Sequence, residues 1–341
     1  MGFFSFLSKE IAIDLGTANT LIIHNDKVVV DEPSIIAINR NTHKLESVGS
    51  KALLMEGRTP DDIKVIRPLK DGVIADFQAA EMMIIEFLRK TNQQQRLLLP
   101  PSLKMVVCIP SGITEVEERA VRDSAEQAGA KEIRLIHEPM AAAIGIGLNV
   151  LESKGNMVVD IGGGTSEIAV IALGGIISNK SIKTAGDEFN SDIEDYMRKE
   201  HNISIGKRTA ELIKMNIGAA TPDIDNPPAP YEVRGRDLVT GIPKALMVSH
   251  QEIAIALDSS ISQVEVAVLN ALEQTPAELS ADIYESGIWL AGGGALLRGL
   301  DKRIQQKTKL DVHIAEDPLR AVARGTAIAL KNFDGFTFLK K

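Results

Sequence analysis

Ile11-Ala-Ile-Asp14-Leu-Gly16-Thr17 and Met157-Val-Val-Asp160-Ile-Gly162 are two versions of one phrase. Each is an apolar run of strand length that ends in Asp-x-Gly, then a tight turn, then a second apolar run. The two aspartates lie 146 residues apart, too long a period for a solenoid repeat. The repetition predicts an internally duplicated chain. Two α/β halves, each opening with a β-hairpin, should have a cleft between them. A length of 341 residues suits two domains of about 100–200 residues each.

Outward from these phrases, strand-like and helical patterns alternate. Runs at 11–13, 21–23, 28–30 and 35–38 read as a strand meander. Residues 76–90 have helical spacing, and 105–109 form a buried strand. A helix over 114–127 is marked by a capping box, Thr114 with Glu117, and by Gly129 as its stop. A short strand at 133–136 precedes an apolar helix around 141–147. After the second phrase come strands at 168–172 and 176–178 and helices at 187–200 and 206–217. Residues 222–230 are polar and proline-rich, an exposed loop. Helices are expected again at 249–272 and 278–285, a strand at 288–291, a helix from Ala295 and a last helix over 319–330.

Composition narrows the class. Hydrophobic residues make up 44% and charged residues 25%, with aromatics at only 4%. The core must therefore rest on aliphatic side chains, as in sheets covered by helices. A net charge of −8 argues against nucleic acid as a partner. The single cysteine, Cys108, excludes an intramolecular disulfide, fits a reducing cytosol and reads as a buried structural thiol. No run of about 18 apolar residues is present, so no transmembrane helix is expected. Residues 1–10 are apolar but lack the basic start of a signal peptide. Gly2 does not complete a myristoylation motif, because Phe6 stands where Ser or Thr is required.

A single Asp-x-Gly is most often an ordinary hairpin turn. Two at duplicated positions, with a third glycine turn at Gly292-Gly293-Gly294, point to phosphate. A glycine turn lets backbone N–H groups approach an oxyanion. Asp14 and Asp160 would organise Mg²⁺, through water, since this ion keeps much of its hydration shell. Competing motifs fail. Gly206-Lys207 is followed by Arg208 and does not complete a P-loop; Gly145 and Gly147 lack the third glycine of a dinucleotide fingerprint. The six histidines show no metal spacing.

Asp14-Leu-Gly-Thr-Ala-Asn-Thr20, Asp160-Ile-Gly-Gly-Gly-Thr165 and Ala291-Gly-Gly-Gly-Ala-Leu-Leu297 resemble the phosphate-1, phosphate-2 and adenosine motifs of the actin, heat-shock chaperone and sugar-kinase superfamily. More narrowly, the chain resembles the MreB family of rod-shape-determining bacterial actins. Supporting stretches are Gly57-Arg-Thr-Pro60, Arg67-Pro-Leu-Lys-Asp-Gly-Val-Ile-Ala-Asp76, Glu138-Pro-Met-Ala-Ala-Ala143 and Ala315-Glu-Asp-Pro318, spread over nearly the whole chain.

The resemblance implies an actin-like α/β fold with nucleotide in the cleft. It implies a first domain over 1–152 with an insertion near 39–71 and a second over 153–321 with an insertion near 189–252. A C-terminal helix in 322–341 should return to the first. Thr17, Ala18 and Asn19 would line one phosphate loop; Gly162, Gly163, Gly164 and Thr165 the other. Glu211, Leu212, Ile213 and Lys214 would contact ribose and base, with Gly292, Gly293, Gly294 and Ala295 closing over the adenosine. Glu211 and Lys214 lie one helical turn apart, and without the resemblance they would read as a surface ion pair. Glu138, before Pro139 at a strand-to-helix junction, would be the catalytic carboxylate that orients water toward the γ-phosphate, with Thr165 assisting. His137 departs from the family pattern, where a second acid is common.

Two apolar features call for a further explanation. Phe3, Phe6 and Leu7 share a helical face beside Phe4, and Leu97, Leu98 and Leu99 form a loop tip flanked by Arg96 and Lys104. Family members bind membrane through such a terminus or loop, and anionic headgroups suit the flanking cations. The implied protein is a cytoplasmic ATPase on the inner face of the cell membrane. It would use ATP and Mg²⁺ and assemble with itself as paired protofilaments. Its partners would be lipid and the cell-elongation proteins RodZ, MreC and MreD. A metabolite kinase and a chaperone ATPase on the same fold are the rivals. Against the first, there is no separate acceptor-pocket base. Against the second, the chain stops at Lys341, just past the nucleotide fold.

Overall fold

The computed structural model describes residues 8–92 and 102–341, divided into two compact units. One comprises residues 1–154, 171–176 and 320–341; the other comprises 155–170 and 177–319.

The first unit opens with β1 (Ser8–Leu15), β2 (Asn19–His24) and β3 (Lys27–Pro33), an antiparallel meander. Next come β4 (Ile36–Asn39), β5 (Leu45–Val48), α1 (Ser50–Met55), β6 (Ile63–Ile66), β7 (Leu69–Lys70), β8 (Val73–Ile74) and α2 (Phe77–Asn92). Then β9 (Ser102–Ile109), α3 (Glu115–Gln127), β10 (Ala130–His137) and α4 (Glu138–Ile146) complete two parallel crossovers. The resulting sheet has the order β10-β9-β1-β2-β3. Residues 35–38, expected as the fourth meander strand, leave it. β3 ends at Pro33, which has no N–H to continue a ladder. β4 pairs instead with β5 and β6 in a small separate sheet.

The second unit repeats the plan. β11 (Asn156–Ile161), β12 (Ser166–Ala172) and β13 (Gly175–Ile182) are followed by α5 (Gly186–His201), β14 (Ile203–Ser204) and α6 (Lys207–Ile217). After a loop come β15 (Tyr231–Asp237), β16 (Pro243–Val248), α7 (His250–Glu273), α8 (Ala277–Ser286), β17 (Ile288–Ala291), α9 (Leu300–Thr308) and β18 (Val312–Ile314). Its main sheet, β13-β12-β11-β17-β18, has the strand order of the first sheet, with β11, β17 and β18 parallel. A small sheet, β14-β15-β16, is its counterpart of the β4–β6 sheet. The helix expected from Ala295 begins only at Leu300. Residues 293–296 form a 3-10 turn, and Gly299, at φ +76°, separates that turn from α9.

Both cores are aliphatic. Ile11, Ile13, Ile22, Met83 and Met105 fill the first, and Val159, Ile168, Ile193, Ile213 and Leu257 the second; Phe87 and Phe189 are the large aromatic contributions. Thr114 and Glu117 exchange both capping bonds at the start of α3, as do Ser249 and Glu252 at α7.

The last helix, α10 (Ala321–Lys331), belongs to the first unit and crosses α4 at backbone contact. A Cβ on Gly145 would lie 1.8 Å from the Ala321 carbonyl oxygen, and one on Gly325 1.7 Å from that of Ala141. Ala141 with Gly145 and Ala321 with Gly325 therefore form two small-residue ridges, four residues apart on each helix. α4 is apolar nearly all round, which is the pattern of a buried helix.

Candidate functional site

In the first unit β1, β9 and β10 run parallel, so their carboxyl ends share one edge. Open α/β sheets bind ligands outside that edge. Asp14 sits at the end of β1, and His137 and Glu138 end β10 and begin α4, with Ile109 of β9 opposite His137. Glu138 is half-buried in the first helical turn, where a carboxylate is favoured by the positive end of the helix dipole. The His137 ring nitrogen Nδ1 lies 3.3 Å from the Pro110 carbonyl oxygen. Burial among apolar strands pushes the Asp14 carboxyl up to about 7. A cation beside it would restore the charged form.

The turn after β1 is braced from two sides. A Cβ on Gly16 would meet the Asn19 carbonyl oxygen at 2.7 Å, so no larger residue closes this turn. Ser34 Oγ donates to the Gly16 carbonyl at 2.6 Å, and Ser34 N–H donates to that of Ala18 at 2.8 Å. Thr17 is buried, and its hydroxyl oxygen accepts from Gly72 N–H at 2.9 Å. Ala18 is half-buried and Asn19 exposed.

The second unit gathers more of the expected residues. Asp160 lies opposite Ala291 across the parallel β11–β17 pair, so the turns that follow them emerge side by side. Gly292, at φ +75°, approaches so closely that a Cβ there would stand 2.5 Å from Asp160 Oδ1. The turn after β11 is closed by Gly162 N–H donating to the Thr165 carbonyl at 2.9 Å. Gly163 is half-buried; Gly164 and Thr165 are buried.

The N-terminus of α5 docks on this turn. Gly186 N–H donates to the Gly162 carbonyl at 3.1 Å and Asp187 N–H to that of Gly163 at 2.7 Å. Lys214, on α6, donates from Nζ to the Gly186 carbonyl at 2.8 Å. Burial lowers its ammonium pKa, against the opposing pull of Glu211 and Asp187. Lys214 is thus no free surface cation: it ties α6 to the phosphate-type turn through Gly186. On the same helix Glu211 is half-buried and Leu212 exposed, whereas Ile213 points into the core. Ala295 is likewise fully buried beneath the 292–294 turn.

Sequence reasoning missed Gly186 and gave Pro318 only as part of a family stretch; the Pro318 carbonyl accepts from Gly292 N–H at 2.9 Å. For Gly186 the one available signal was the small pair Ala185-Gly186 ahead of a helix. No group of three or more His, Cys, Asp or Glu side chains able to hold a metal occurs among the described residues. Phe3, Phe4, Phe6, Leu7, Leu97, Leu98 and Leu99 lie outside the described residues. No described helix is long and apolar enough to cross a membrane.

A hairpin-opened five-stranded sheet built twice, each copy with an Asp-x-Gly turn at its carboxyl edge, defines an actin-like protein. The MamK double helical filament shares that fold, with a TM-score of 0.79 over 95% of this chain and 99% of MamK, at 18% identity. The nearer comparison is with MreB5 of Spiroplasma citri bound to AMPPNP: TM-score 0.90, 38% identity, 96% of this chain and 97% of that one. Residues 8–337 match the family model described as MreB/Mbl protein. The cell shape-determining protein MreB of Escherichia coli K12 is 46% identical over 337 residues, covering 97% of this chain and 96% of the relative. Mbl of Bacillus subtilis 168 is 44% identical over 328 residues, covering 96% and 97%. The chain belongs to the MreB/Mbl family.

Proposed function

We propose that this chain is an ATP-driven, self-polymerising cytoskeletal protein that determines cell shape. The observation that carries the reading is the duplicated Asp-x-Gly turn at the carboxyl edge of two sheets of the same strand order. The AMPPNP- and ADP-bound MreB5 structures support a nucleotide as the ligand, and the MamK filament supports self-assembly. On this reading the two units are the two actin-like domains, and the small sheets are their insertions.

The residues divide the work by chemistry. Backbone N–H groups at Thr17, Ala18 and Asn19 and at Gly162, Gly163, Gly164 and Thr165 take the phosphates. Asp14 and Asp160 orient water around Mg²⁺, which neutralises phosphate charge when bound. Glu211, Leu212 and Lys214 on α6, with the 292–295 turn, hold the nucleoside. Glu138, half-buried and fixed at the first turn of α4, accepts the proton of the attacking water.

Light scattering with Mg·ATP tests the whole reading, with a rise expected on assembly. Changing either Asp14 or Asp160 to Ala should weaken Mg·ATP binding and abolish that rise. Normal assembly by either variant would show that these turns do not hold the metal–nucleotide complex.

The filament works at the membrane, on the strength of Phe3, Phe4, Phe6 and Leu7 and of Leu97, Leu98 and Leu99. Each apolar side chain contributes ~1.5–3 kcal/mol when fully buried, but partial insertion and the cost of ordering the segment leave only a few kcal/mol per anchor, so one anchor binds reversibly. A polymer presents many anchors at once, and avidity makes the attachment firm. Co-sedimentation with anionic liposomes should require ATP. A chain lacking residues 2–8 and carrying Leu98→Ser and Leu99→Ser should assemble but stay in the supernatant. Wild-type pelleting of that variant would remove the membrane assignment.

A further inference from the structure

β10 is the outermost strand of the first sheet, and its last residue, His137, leads directly into Glu138. The end of an edge strand is a poor foundation for a catalytic group. One side of such a strand has no ladder to hold it, and chain segments at the margin of a fold open more readily than its core. Here a distant stretch of sequence supplies the hold. Beyond α10 the chain turns back to β10 and makes an isolated antiparallel bridge, Leu135 with Lys340. Leu135 N–H donates to the Lys340 carbonyl oxygen at 2.9 Å, and Lys340 N–H donates to the Leu135 carbonyl oxygen at 3.0 Å. Both peptide groups of Leu135 are thereby tied, three residues before Glu138.

The approach to the bridge is itself anchored. Phe333 is buried, with the Arg134 guanidinium of β10 4.8 Å from its ring centroid and Lys104 Nζ of β9 5.3 Å from it, both within cation–π range. Phe336 and Phe338 stack with their centroids 4.8 Å apart. Leu339, next to the bridge, is buried, and Lys340 pairs with Glu118 on α3. On the other side of Glu138 the same stretch holds α4, which α10 meets at backbone contact through Gly325 and Gly145. Residues 321–340 therefore grip both elements that join at Glu138: the strand before it through Lys340 and the helix after it through α10. A backbone hydrogen bond made in place of one to water stabilises only modestly. What the bridge fixes is position, and a catalytic group must be held within about 0.5 Å of its productive place.

We infer that the Leu135–Lys340 bridge is a positioning clamp for Glu138. The inference rests on the assignment of Glu138 above and adds to it the contact that holds the carboxylate in place. The bridge touches neither phosphate-type turn, so it should act on turnover and not on nucleotide affinity.

Lys340→Pro tests it, because proline has no N–H to donate to Leu135. Lys340→Ala keeps that bond and removes only the ion pair with Glu118. In single-turnover phosphate release the proline variant should be slower by about tenfold, within the roughly 10²-fold that a 1 Å displacement of a catalytic group can cost. The alanine variant should release phosphate as wild type does. Lys340 is exposed, so both variants should fold, which thermal melting checks, and both should bind a fluorescent nucleotide as wild type does. Combined with Glu138→Gln, Lys340→Pro should slow release no further, because the base it positions is already gone; a general structural defect would slow both backgrounds alike. A proline variant with wild-type turnover overturns the inference and leaves Glu138 in its role. So do equal losses in the two Lys340 variants, a matching loss of nucleotide affinity, or a further loss in the Glu138→Gln background. Normal turnover in Glu138→Gln alone removes the Glu138 assignment, and the clamp with it.

Discussion

Gly325→Ala should lower the melting temperature of the chain by roughly 6–12 °C. Helix propensity alone predicts the opposite, since alanine in place of a mid-helix glycine gains up to ~1 kcal/mol. Packing decides the sign. The new methyl would stand 1.7 Å from the Ala141 carbonyl oxygen, about half the distance of an ordinary contact. Neither atom belongs to a flexible side chain, so α4 and α10 must separate. Overpacking typically costs ~1–3 kcal/mol, and a backbone-on-backbone clash belongs at or above the top of that range. At about 2–4 °C per kcal/mol for a unit of this size, the loss is readily seen by calorimetry. Gly335→Ala is the control: a Cβ there would meet its nearest neighbour, the Asn332 carbonyl oxygen, at an ordinary 3.6 Å. A Gly325→Ala chain that melts at or above the wild-type temperature would show that the two helices tolerate separation. The same substitution should impair hydrolysis, because α4 carries Glu138 in its first turn.

Glu138→Gln should cut phosphate release by about 10²–10⁴-fold, the usual contribution of a positioned general base. The amide keeps the volume and the hydrogen-bonding reach of the carboxylate but cannot take a proton at neutral pH. Nucleotide affinity should stay close to wild type, because the phosphate-type turns on the Asp14 and Asp160 strands are untouched. The loss of a carboxylate charge at a helix N-terminus should itself cost ~0.3–1 kcal/mol of stability. Filaments formed by this variant with ATP should therefore outlast those of the wild type. Single-turnover phosphate release, alongside equilibrium binding of a fluorescent nucleotide, separates the two effects. Near-normal turnover with normal binding would reject Glu138 as the base and direct attention to Thr165, which is buried at the turn after β11.

Local features of the sequence carry much of this molecule. The repeated Asp-x-Gly phrase gives the duplication because an apolar strand followed by a glycine turn needs no distant partner to be recognised. Thr114 with Glu117 gives the start of α3 for the same reason: both capping bonds span three residues. The second small sheet was less legible. Tyr231–Asp237 does alternate, with Tyr231, Val233 and Gly235 turned inward between exposed neighbours, but Val233 is the only one of its residues that is fully buried, and four of the six residues of Pro243–Val248 are exposed, so the apolar signal is thin.

Only the tertiary structure decided where chain-distant backbones meet. Lys214 and Glu211 have the spacing of a surface ion pair, and the sequence could not show that the ammonium reaches the Gly186 carbonyl. Leu319 reads as the start of a last helix; its place over Gly293 follows from Pro318 bonding a glycine 26 positions earlier. Residues 35–38 have strand character wherever they pair, and β5 and β6 rather than β3 received them. Ala141 with Gly145 and Ala321 with Gly325 are unremarkable apart, and they become a requirement only when α10 lies on α4. Periodicity, caps and turns are fixed by interactions within a few residues. A close approach of two backbones depends on where both elements have been carried, and a glycine states that it has room without stating what fills it.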